Sequence, residues 1–565
     1  MYTMPESSEC AGDIFDCIQR GNIEQCVELI QNDRSILKEK GWGGFTPLHY
    51  AALHGNRPLV DSLLSNGADP NLVSEAGQTS FHFACRSGNI YIMHQMMQHG
   101  ADLRLVDLQG KTSLHHAVLG GSIVAMHYLW ETGKFRYSDS DMYHLTSLHM
   151  AASTSNTEVV RYLLRHQRCA VDALDQEGAT ALHVAADHGG VELCWTLLQR
   201  TGYRMLHWKN HHGLTPLDLS KLGKTFRHQQ LTKLLRLYIN EPMHHTPKES
   251  HVLYYWTLLY PTLSGSVILI VAALGGGYGG LLCGLLFPWL ARSIFTAFHR
   301  MTTYQRLPNP IYLGTLFAGL FHTLLCFYGD PSLAPRMWST GLLVQFSMFH
   351  FALVLGLLCK ILTQDPGALG RAESDPRFTC IADLVEKNEK PQRFCTYCEI
   401  FQPDHSKHCK LCDVCVADYD HHCLFLNRCV GRDNHRLFLV FLISLVTAHL
   451  LFLVTATSYL NGKKAAGYHG ATSSWSSWLP FLGAEFWVAT LAVMNALTLL
   501  WEAWLLKEQF DAVVAGGTTF FRQGEATGRR RSLGQRWTAV LSFLLEGRDG
   551  LVRRQAPTDQ TALVI

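Results

Sequence analysis

The sequence predicts an all-α protein in which an N-terminal solenoid of helical repeats precedes a six-helix membrane domain with a small zinc-bound cysteine-rich module. Three observations support this prediction. A short motif recurs through the first half, long apolar stretches follow residue 250, and seven cysteines and four histidines lie between Cys395 and Cys429. The average composition, 47% hydrophobic and 17% charged with a net charge of +2, hides these two halves and is no ground for predicting a soluble protein.

A Thr-x-x-His motif marks the N-terminal repeats. Its copies begin at Thr46, Thr79, Thr112, Thr146 and Thr180, with a degenerate copy at Thr215. The spacing of 33 to 35 residues is the ankyrin period. We therefore predict a cap plus about six ankyrin repeats over residues 1–240, with structural rather than metal-binding histidines. Such a solenoid offers an extended concave surface for protein recognition.

Six apolar stretches are long enough to cross a membrane. They are Val252–Ala273, Gly277–Phe298, Ile311–Tyr328, Trp338–Leu362, Leu437–Leu460 and Glu485–Leu506. We expect four spans within 241–362, two within 437–507, and a tail over 508–565. Arginines in the 299–310 loop and in the tail place both termini in the cytosol by the positive-inside rule. Glu502 is ionisable but near the cytosolic end of the last stretch, so we expect its carboxylate to reach water.

The cysteine cluster contains one thiol more than two zinc sites need. Two tetrahedral sites take eight ligands, which six cysteines with His408 and His422 supply. Cys423 is left over, directly after Asp420-His421-His422. A spare thiol beside an imidazole on a rigid frame suits nucleophilic catalysis. The alternatives are a structural zinc module with an incidental cysteine, or a disulfide framework, which a reducing cytosol disfavours.

The cluster resembles the DHHC protein S-acyltransferases. The resemblance rests on Asp420-His421-His422-Cys423 and on the flanking residues Cys395-x2-Cys398, Pro403, Lys407-His408-Cys409-x2-Cys412-x2-Cys415, Asn427, Cys429-Val430-Gly431 and Asn434. Asp365-Pro366-Gly367 is similar to the family's Asp-Pro-Gly motif. Together with the repeats, these residues resemble the ankyrin-bearing palmitoyltransferases, the huntingtin-interacting group.

The resemblance implies a cytosolic DHHC domain over residues 363–436 that holds two structural zinc ions. The first zinc ion would be bound by Cys395, Cys398, His408 and Cys415, and the second by Cys409, Cys412, His422 and Cys429. His421 would act as general base towards Cys423, and Asp420 would orient His421. Palmitoyl-CoA would donate the acyl chain, which would lie in a cavity between the spans.

The same resemblance implies client proteins with acceptor cysteines near the bilayer. Resembling proteins bind short proline-containing peptides through an aromatic residue of an early repeat, so Tyr50, His54 and Phe83 are candidate client-binding residues; ordinary core packing is the alternative. A multi-pass protein of the Golgi membrane is expected, with the endoplasmic reticulum and cytoplasmic vesicles as alternatives. Because the repeats hold no candidate catalytic residue, deletion of 1–240 is expected to leave acylation of Cys423 largely intact and to reduce transfer to clients. The alternative is that the repeats brace the membrane domain through Leu231–Tyr238, so that truncation also impairs acylation.

The chain departs from the family at three places. His405 stands where the family usually has an arginine, two residues after the proline of the cluster. Leu424-Phe425 replaces Pro-Trp, and the family's Thr-Thr-x-Glu is matched at best by Leu505-Leu506-Lys507-Glu508. All predicted zinc ligands and the Asp-His-His-Cys quartet are intact, so we expect an enzyme. The alternative is a weak or inactive membrane adaptor that binds clients through its repeats. A transporter is less favoured because no paired intramembrane charges line a pathway, and no basic stripe indicates nucleic acid.

Overall fold

The computed structural model describes residues 14–165, 168–248, 251–274, 307–329, 341–370, 375, 377–467, 485–521 and 532–547. It is predominantly helical and divides into two compact units. The first unit comprises Met1–Lys248 and Arg371–Phe401, and the second comprises Glu249–Gly370 and Gln402–Ile565.

Seven pairs of short antiparallel helices build most of the first unit. They are α1 (Ile14–Arg20), α2 (Ile23–Asn32), α3 (Pro47–His54), α4 (Arg57–Ser65), α5 (Ser80–Ser87), α6 (Ile90–Gln98), α7 (Ser113–Gly120), α8 (Ile123–Glu131), α9 (Ser147–Ser153), α10 (Thr157–Leu164), α11 (Ala181–Asp187), α12 (Val191–Thr201), α13 (Pro216–Leu222) and α14 (Phe226–Tyr238). Buried aliphatic side chains fill the space between successive pairs. The predicted ankyrin solenoid is confirmed.

The Thr-x-x-His motif caps the first helix of five repeats, α3, α5, α7, α9 and α11, and ties it to the next repeat. In α5, the backbone N–H of Thr79 donates to Nδ1 of His82 over 3.0 Å. Nδ1 is therefore an acceptor, so Nε2 carries the proton and donates to the carbonyl of Leu105 over 3.2 Å. The motif histidines of α3, α7, α9 and α11 make the same pair of contacts. Their predicted structural role is confirmed.

Further helices, most of them longer, follow the repeats. They are α15 (His251–Leu274), α16 (Ile311–Gly329), α17 (Gly341–Thr363), α18 (Ile381–Glu386), α19 (His435–Gly467), α20 (Phe486–Ala515) and α21 (Leu533–Glu546). The short α18 belongs to the first unit and the others to the second.

Four segments of the described chain are long and apolar enough to cross a membrane: His251–Val271, Gln345–Thr363, His435–Lys463 and Phe486–Ala515. They match the first, fourth, fifth and sixth predicted spans. The third prediction coincides with a shorter apolar helix, Ile311–Cys326. The second predicted span, 277–298, lies outside the described residues. The described residues thus bear out four of the six predicted spans.

Three two-stranded antiparallel hairpins form the cysteine-rich module. Strand β1 (Phe394–Cys395) pairs with β2 (Ile400–Phe401), β3 (Lys407–Cys409) with β4 (Val414–Val416), and β5 (His421–Cys423) with β6 (Arg428–Val430). The register places His408 opposite Cys415 and His422 opposite Cys429. Each of these two hairpins therefore brings a predicted ligand histidine beside a predicted ligand cysteine.

The Asp-Pro-Gly segment anchors the module behind α17. Oδ1 of Asp365 accepts the backbone N–H groups of Gly367 and Ala368, each over 2.7 Å, which closes a tight turn. The carbonyl of Gly367 then accepts from the N–H of Ala417 over 2.9 Å. Because the Asp365 carboxylate accepts hydrogen bonds from these backbone N–H groups, its role here is to shape the turn.

Candidate active site and zinc-ligand groups

Two groups of four side chains have the chemistry and spacing to hold metal ions. The first group is Cys395, Cys398, His408 and Cys415, and the second is Cys409, Cys412, His422 and Cys429. Within each group the candidate ligand atoms lie within 4.8 Å of one another. Cysteine and histidine in fours are the usual ligands of structural zinc, so the residues present fit the two zinc ions that the sequence predicts.

The second group is arranged around one ring nitrogen. Nδ1 of His422 lies 3.6 Å from Sγ of Cys409, 3.3 Å from Sγ of Cys412 and 3.7 Å from Sγ of Cys429. Zinc–sulfur bonds of about 2.3 Å in a tetrahedron separate ligand atoms by roughly 3.5 to 3.8 Å. The separations are therefore those of one four-coordinate site with Nδ1 of His422 as its imidazole ligand.

Matching turns shape the two Cys-x2-Cys segments. The N–H of Glu399 donates to the carbonyl of Cys395 over 2.7 Å, and that of Asp413 donates to the carbonyl of Cys409 over 2.8 Å. Glu399 and Asp413 each adopt a φ of 55°, which is uncommon for residues other than glycine. In addition, Oδ1 of Asp413 lies 3.6 Å from Nε2 of His408. A carboxylate in this place orients a ligand imidazole.

Cys423 lies outside both ligand groups and beside His421. Nδ1 of His421 lies 2.7 Å from Oδ2 of Asp420. Because the buried carboxylate accepts at Nδ1, the other ring nitrogen is free to interact with the Cys423 thiol. The ring of His421 is further fixed by an edge-on contact with Phe438, with centroids 5.4 Å apart. Acid, imidazole and thiol thus stand in the order that an activated nucleophile requires.

The electrostatics of this trio favour a charged imidazole. Burial alone would lower the pKa of His421, but the hydrogen bonds to Asp420 and Cys423 outweigh it and raise that pKa to about 10. Burial likewise opposes ionisation of Asp420, yet the hydrogen bonds from His421 and Gln509 hold its pKa well below the usual range. A carboxylate beside an imidazolium is therefore the favoured state.

Gln509 and Thr519, from the last long helix and the turn after it, complete the surroundings of Asp420. Nε2 of Gln509 donates to Oδ2 of Asp420 over 2.8 Å, and the backbone N–H of Thr519 donates to Oδ1 over 2.7 Å. Thr518 is fully buried beside them. Neither contact was predicted from the sequence.

These contacts correct the match proposed for the family's Thr-Thr-x-Glu motif. The match was expected at Leu505–Glu508, but the chain has its own Thr-Thr pair, Thr518-Thr519, and Thr519 of this pair binds Asp420. Phe521 then takes the place of the motif's glutamate, and its ring lies 5.3 Å from that of His405. The tandem threonines are the signal in the sequence that points to this contact.

An apolar cluster surrounds the Cys423 thiol, which is only 9% exposed. Its buried members come from α17, α19 and the β5–β6 hairpin: Val354, Leu358, Ile361, Leu426, Val430, Phe438, Phe441 and Leu445. Partly buried side chains of α16 pack against it. Phe425, at the position where the family has tryptophan, packs between Tyr312 and Trp501 with ring centroids 5.7 and 5.0 Å away. The thiol therefore lies against helices that are long and apolar enough to cross a membrane.

A family model described as DHHC palmitoyltransferase matches residues 388–524, and one for ankyrin repeats matches residues 48–141 and 133–206. The chain carries an ankyrin-repeat region and a DHHC palmitoyltransferase domain. That domain is the signature of protein S-palmitoyltransferases, so the chain is an enzyme of this class. The first match spans both ligand groups, Cys423 and the Thr518-Thr519 pair.

Solved structures similar to the chain are ankyrin-repeat domains. The human ASB11 ankyrin repeat domain is 24% identical over 41% of this chain and 100% of its own, with a TM-score of 0.36. The ankyrin repeat domain of Bcl-3, a member of the IkappaB family, is 25% identical over 40% of this chain and 100% of its own, with a TM-score of 0.32. No curated protein matches the chain.

The burial of Glu502, in the sixth predicted span, differs from the expectation. Its side chain is buried, with 3% of the residue exposed, so the prediction that it reaches water is wrong. Its Oε1 lies 3.3 Å from Nε2 of His449, whose Nδ1 is 2.6 Å from Oδ1 of Asn495. A buried carboxylate costs least when it is paired in this way. Two predicted spans of the DHHC enzyme are thus joined by a polar contact between ionisable side chains.

The three candidate client-binding residues lie at two neighbouring first helices of the repeats. Tyr50 and Phe83 are each 9% exposed and pack on Phe45, with ring centroids 5.6 and 5.1 Å away. His54 is exposed at the end of α3. The two aromatic rings therefore contribute to the solenoid core, and His54 presents an accessible edge beside them.

Proposed function

We propose that the chain transfers palmitoyl from palmitoyl-CoA to cysteines of client proteins through an acyl-Cys423 intermediate. The observation that carries the proposal is the contact of His421 with Asp420, beside a thiol that neither ligand group includes. The residues of the two groups would hold two zinc ions, which supply a fixed backbone where the segment is too short for an apolar core of its own.

In the first step, Cys423 reacts as a thiolate whose proton is held by the His421 imidazolium, and it attacks the thioester carbonyl of the acyl-CoA. The carbon–sulfur bond to coenzyme A breaks, and its thiolate leaves with the proton held by His421. The products are acyl-Cys423 and free coenzyme A. Asp420 holds the imidazole in place and stabilises its charged form.

In the second step, a client thiol gives its proton to His421 and attacks the carbonyl of acyl-Cys423. The new thioester forms on the client, and Cys423 leaves as a thiolate that regains the proton from His421. The apolar cluster at Cys423 supports this scheme because burial of a long acyl chain among aliphatic side chains is favourable, at about 0.8 kcal/mol per methylene group.

Clients would be recruited by the ankyrin repeats, which raises their effective concentration near the nucleophile. Tyr50, His54 and Phe83 are the proposed contacts. Because Tyr50 and Phe83 also pack in the core, His54→Ala tests recruitment without opening that core, and Phe83→Leu keeps apolar volume at the second site. Substrates would be membrane-proximal cysteines of client proteins at the Golgi membrane, with both termini of the enzyme in the cytosol.

The decisive experiment is incubation of the purified full chain in lipid nanodiscs with labelled palmitoyl-CoA. We expect hydroxylamine-sensitive label on the wild type and none on Cys423→Ser. Cys380→Ser is the matched control, because Cys380 is a partly buried thiol outside both ligand groups. Normal labelling of Cys423→Ser would refute the intermediate. A wild-type protein that is folded and zinc-loaded but takes up no label would favour the adaptor alternative.

A further inference from the structure

The β1–β2 hairpin, which carries Cys395 and Cys398, packs on the repeats. Each of its strands has two residues, so its own hydrogen bonds cannot hold it in one conformation. It belongs to the same compact unit as the solenoid. Its neighbours there are the second helices of the repeats, α8 and α10, and the segment that follows α10.

Two aromatic residues of the hairpin contact these helices. The ring of Phe394, which is 4% exposed, lies 5.3 Å from the ring of His127 on α8. The hydroxyl of Tyr397 donates to Oε2 of Glu158 on α10 over 2.8 Å. Phe394 and Tyr397 flank Cys395 on both sides, so these contacts constrain the backbone from which the thiol projects.

A largely buried ion pair holds the turn of the hairpin. Arg168 pairs with Glu399, and their side chains are only 5% and 18% exposed. The guanidinium also lies 4.7 Å from the ring centroids of both Trp130 and Tyr162. Glu399 immediately follows Cys398 and is the residue of the hairpin with a positive φ. The ion pair therefore fixes the backbone at the point where the hairpin reverses.

The chain leading into the hairpin is held by the same side of the solenoid. Oε2 of Glu131 on α8 accepts from the N–H of Ile381 at the start of α18 over 3.0 Å. The hydroxyl of Tyr91 on α6 donates to the carbonyl of Glu389 over 3.0 Å. Three successive second helices thus contact residues 381–399.

We propose that the second helices of the ankyrin repeats position the Cys395–Cys398 hairpin for metal binding, with Glu158 and Arg168 as positioning residues. The proposal rests on the ligand roles given to Cys395 and Cys398 in the proposed function. A ligand pair held in its bound geometry loses less conformational freedom on binding and so retains its metal longer. The repeats are then a structural part of the enzyme. Deletion of 1–240 strips these contacts, so on this proposal it should also impair acylation of Cys423, contrary to the expectation that acylation is spared.

A charge-swap series in the full chain tests the proposal. The variants are Arg168→Glu, Glu399→Arg and the double swap, with Lys221→Glu as the matched control, since Lys221 pairs with Asp218 on the surface of the last repeat. Zinc-loaded protein is mixed with a chelator, and hydrogen exchange of peptides covering 394–401 is measured in parallel. Each single variant should release one of its two zinc ions roughly tenfold faster and exchange faster in the hairpin. The double swap should recover the part of the loss that comes from the ion pair, but not the part that comes from the guanidinium on the Trp130 and Tyr162 rings. The control should match the wild type.

Tyr397→Phe provides a milder test if the charge variants do not fold. It removes only the hydroxyl that bonds Glu158, and release of one ion should accelerate about two- to fivefold. Unchanged zinc release and unchanged hairpin exchange in folded single variants would overturn the proposal, as would a double swap no better than either single. The zinc measurements do not involve Cys423. Loss of Cys423 labelling with normal zinc retention would therefore count against the proposed chemistry and leave the hairpin contacts untouched.

Discussion

Gln509 binds Asp420 and His435 with the two ends of one amide. Its Nε2 donates to Oδ2 of Asp420 over 2.8 Å, and its Oε1 lies 2.7 Å from Nε2 of His435. A carboxylate only accepts, so the amide must turn its NH2 towards Asp420. Its carbonyl then faces His435, which must carry a proton on Nε2. All three residues are at most 2% exposed.

This arrangement predicts that Gln509→Leu slows the acylation of Cys423. Leucine has similar bulk but leaves Asp420 with one donor fewer and His435 without its acceptor. Loss of a buried hydrogen bond to a charged group costs about 1.5 to 3 kcal/mol. We expect a roughly tenfold or larger fall in the rate of label uptake from palmitoyl-CoA, with two zinc ions retained.

Lys507→Leu is the control for Gln509→Leu, because it introduces the same residue at an exposed position of the same helix. The double variant Gln509→Leu with His435→Leu also removes the histidine that Gln509→Leu leaves without its acceptor. It therefore separates the loss of the donor to Asp420 from the loss of the acceptor of His435. If Gln509→Leu acylates at the wild-type rate, Asp420 is adequately held by His421 and Thr519, and Gln509 has no part in the chemistry.

Local patterns in the sequence predicted the repeats and the candidate zinc ligands because their partners are close along the chain, whereas the division of those ligands into two groups came from the family resemblance. Thr79 and His82 are three residues apart, and Cys409 and Cys412 likewise, so spacing alone reports their proximity. Gln509 and Thr519 are 89 and 99 residues from Asp420. Their approach depends on how α20 packs on the module, which no local pattern encodes. The burial of Glu502 depended in the same way on a partner in another helix.

A second prediction concerns the division between ligand and nucleophile. Cys409→Ser removes one thiolate from the second group, so the protein should retain one zinc ion fewer than the wild type and lose cooperative unfolding of the module. Cys423→Ser should retain the wild-type zinc content and thermal stability. Zinc per chain by elemental analysis, with thermal unfolding of the same samples, checks both. Equal zinc content in the two variants would contradict the ligand assignment.

The close packing around Gly431 allows a steric test of the Asp365-Pro366-Gly367 segment that anchors the module. A Cβ at Gly431 would lie 2.4 Å from Cγ1 of Val416 and 2.5 Å from the carbonyl oxygen of Pro366. The second of these is backbone, so relief requires movement of the anchor. Gly431→Ala should destabilise the module by about 1 to 3 kcal/mol and lower acylation of Cys423. Gly370→Ala is the control, since a Cβ there meets nothing within 4 Å. Equal stability of the two variants would show that the Asp-Pro-Gly segment moves to accommodate the added methyl group at little cost.

The last prediction is that acid weakens the repeats. Burial lowers the pKa of both His82 and His116 to about 4. The two rings are in contact, with centroids 4.8 Å apart, and Nε2 of His116 lies 3.1 Å from Oδ2 of Asp107. Despite its burial, the pKa of Asp107 is held below its usual value, chiefly by backbone N–H donors and His116. The folded repeats thus favour neutral imidazoles beside an ionised carboxylate.

The sign of the effect follows from proton counting. An unfolded histidine has a pKa of about 6.5, so between about pH 6.5 and 4 the unfolded chain binds more protons than the folded one. The contribution of these histidines to the free energy of unfolding is therefore complete above about pH 6.5, and it is lost as the pH drops towards 4. One histidine with such a shift contributes up to about 3 kcal/mol, and the coupled pair a few kcal/mol.

Thermal unfolding and pulse proteolysis of the repeats at pH 7 and pH 4.5 measure this loss. His116→Gln should have a shallower pH dependence than the wild type, and His188→Gln, at an exposed position, should not. Equal slopes for His116→Gln and the wild type would mean that His116 does not take up a proton on unfolding in this range.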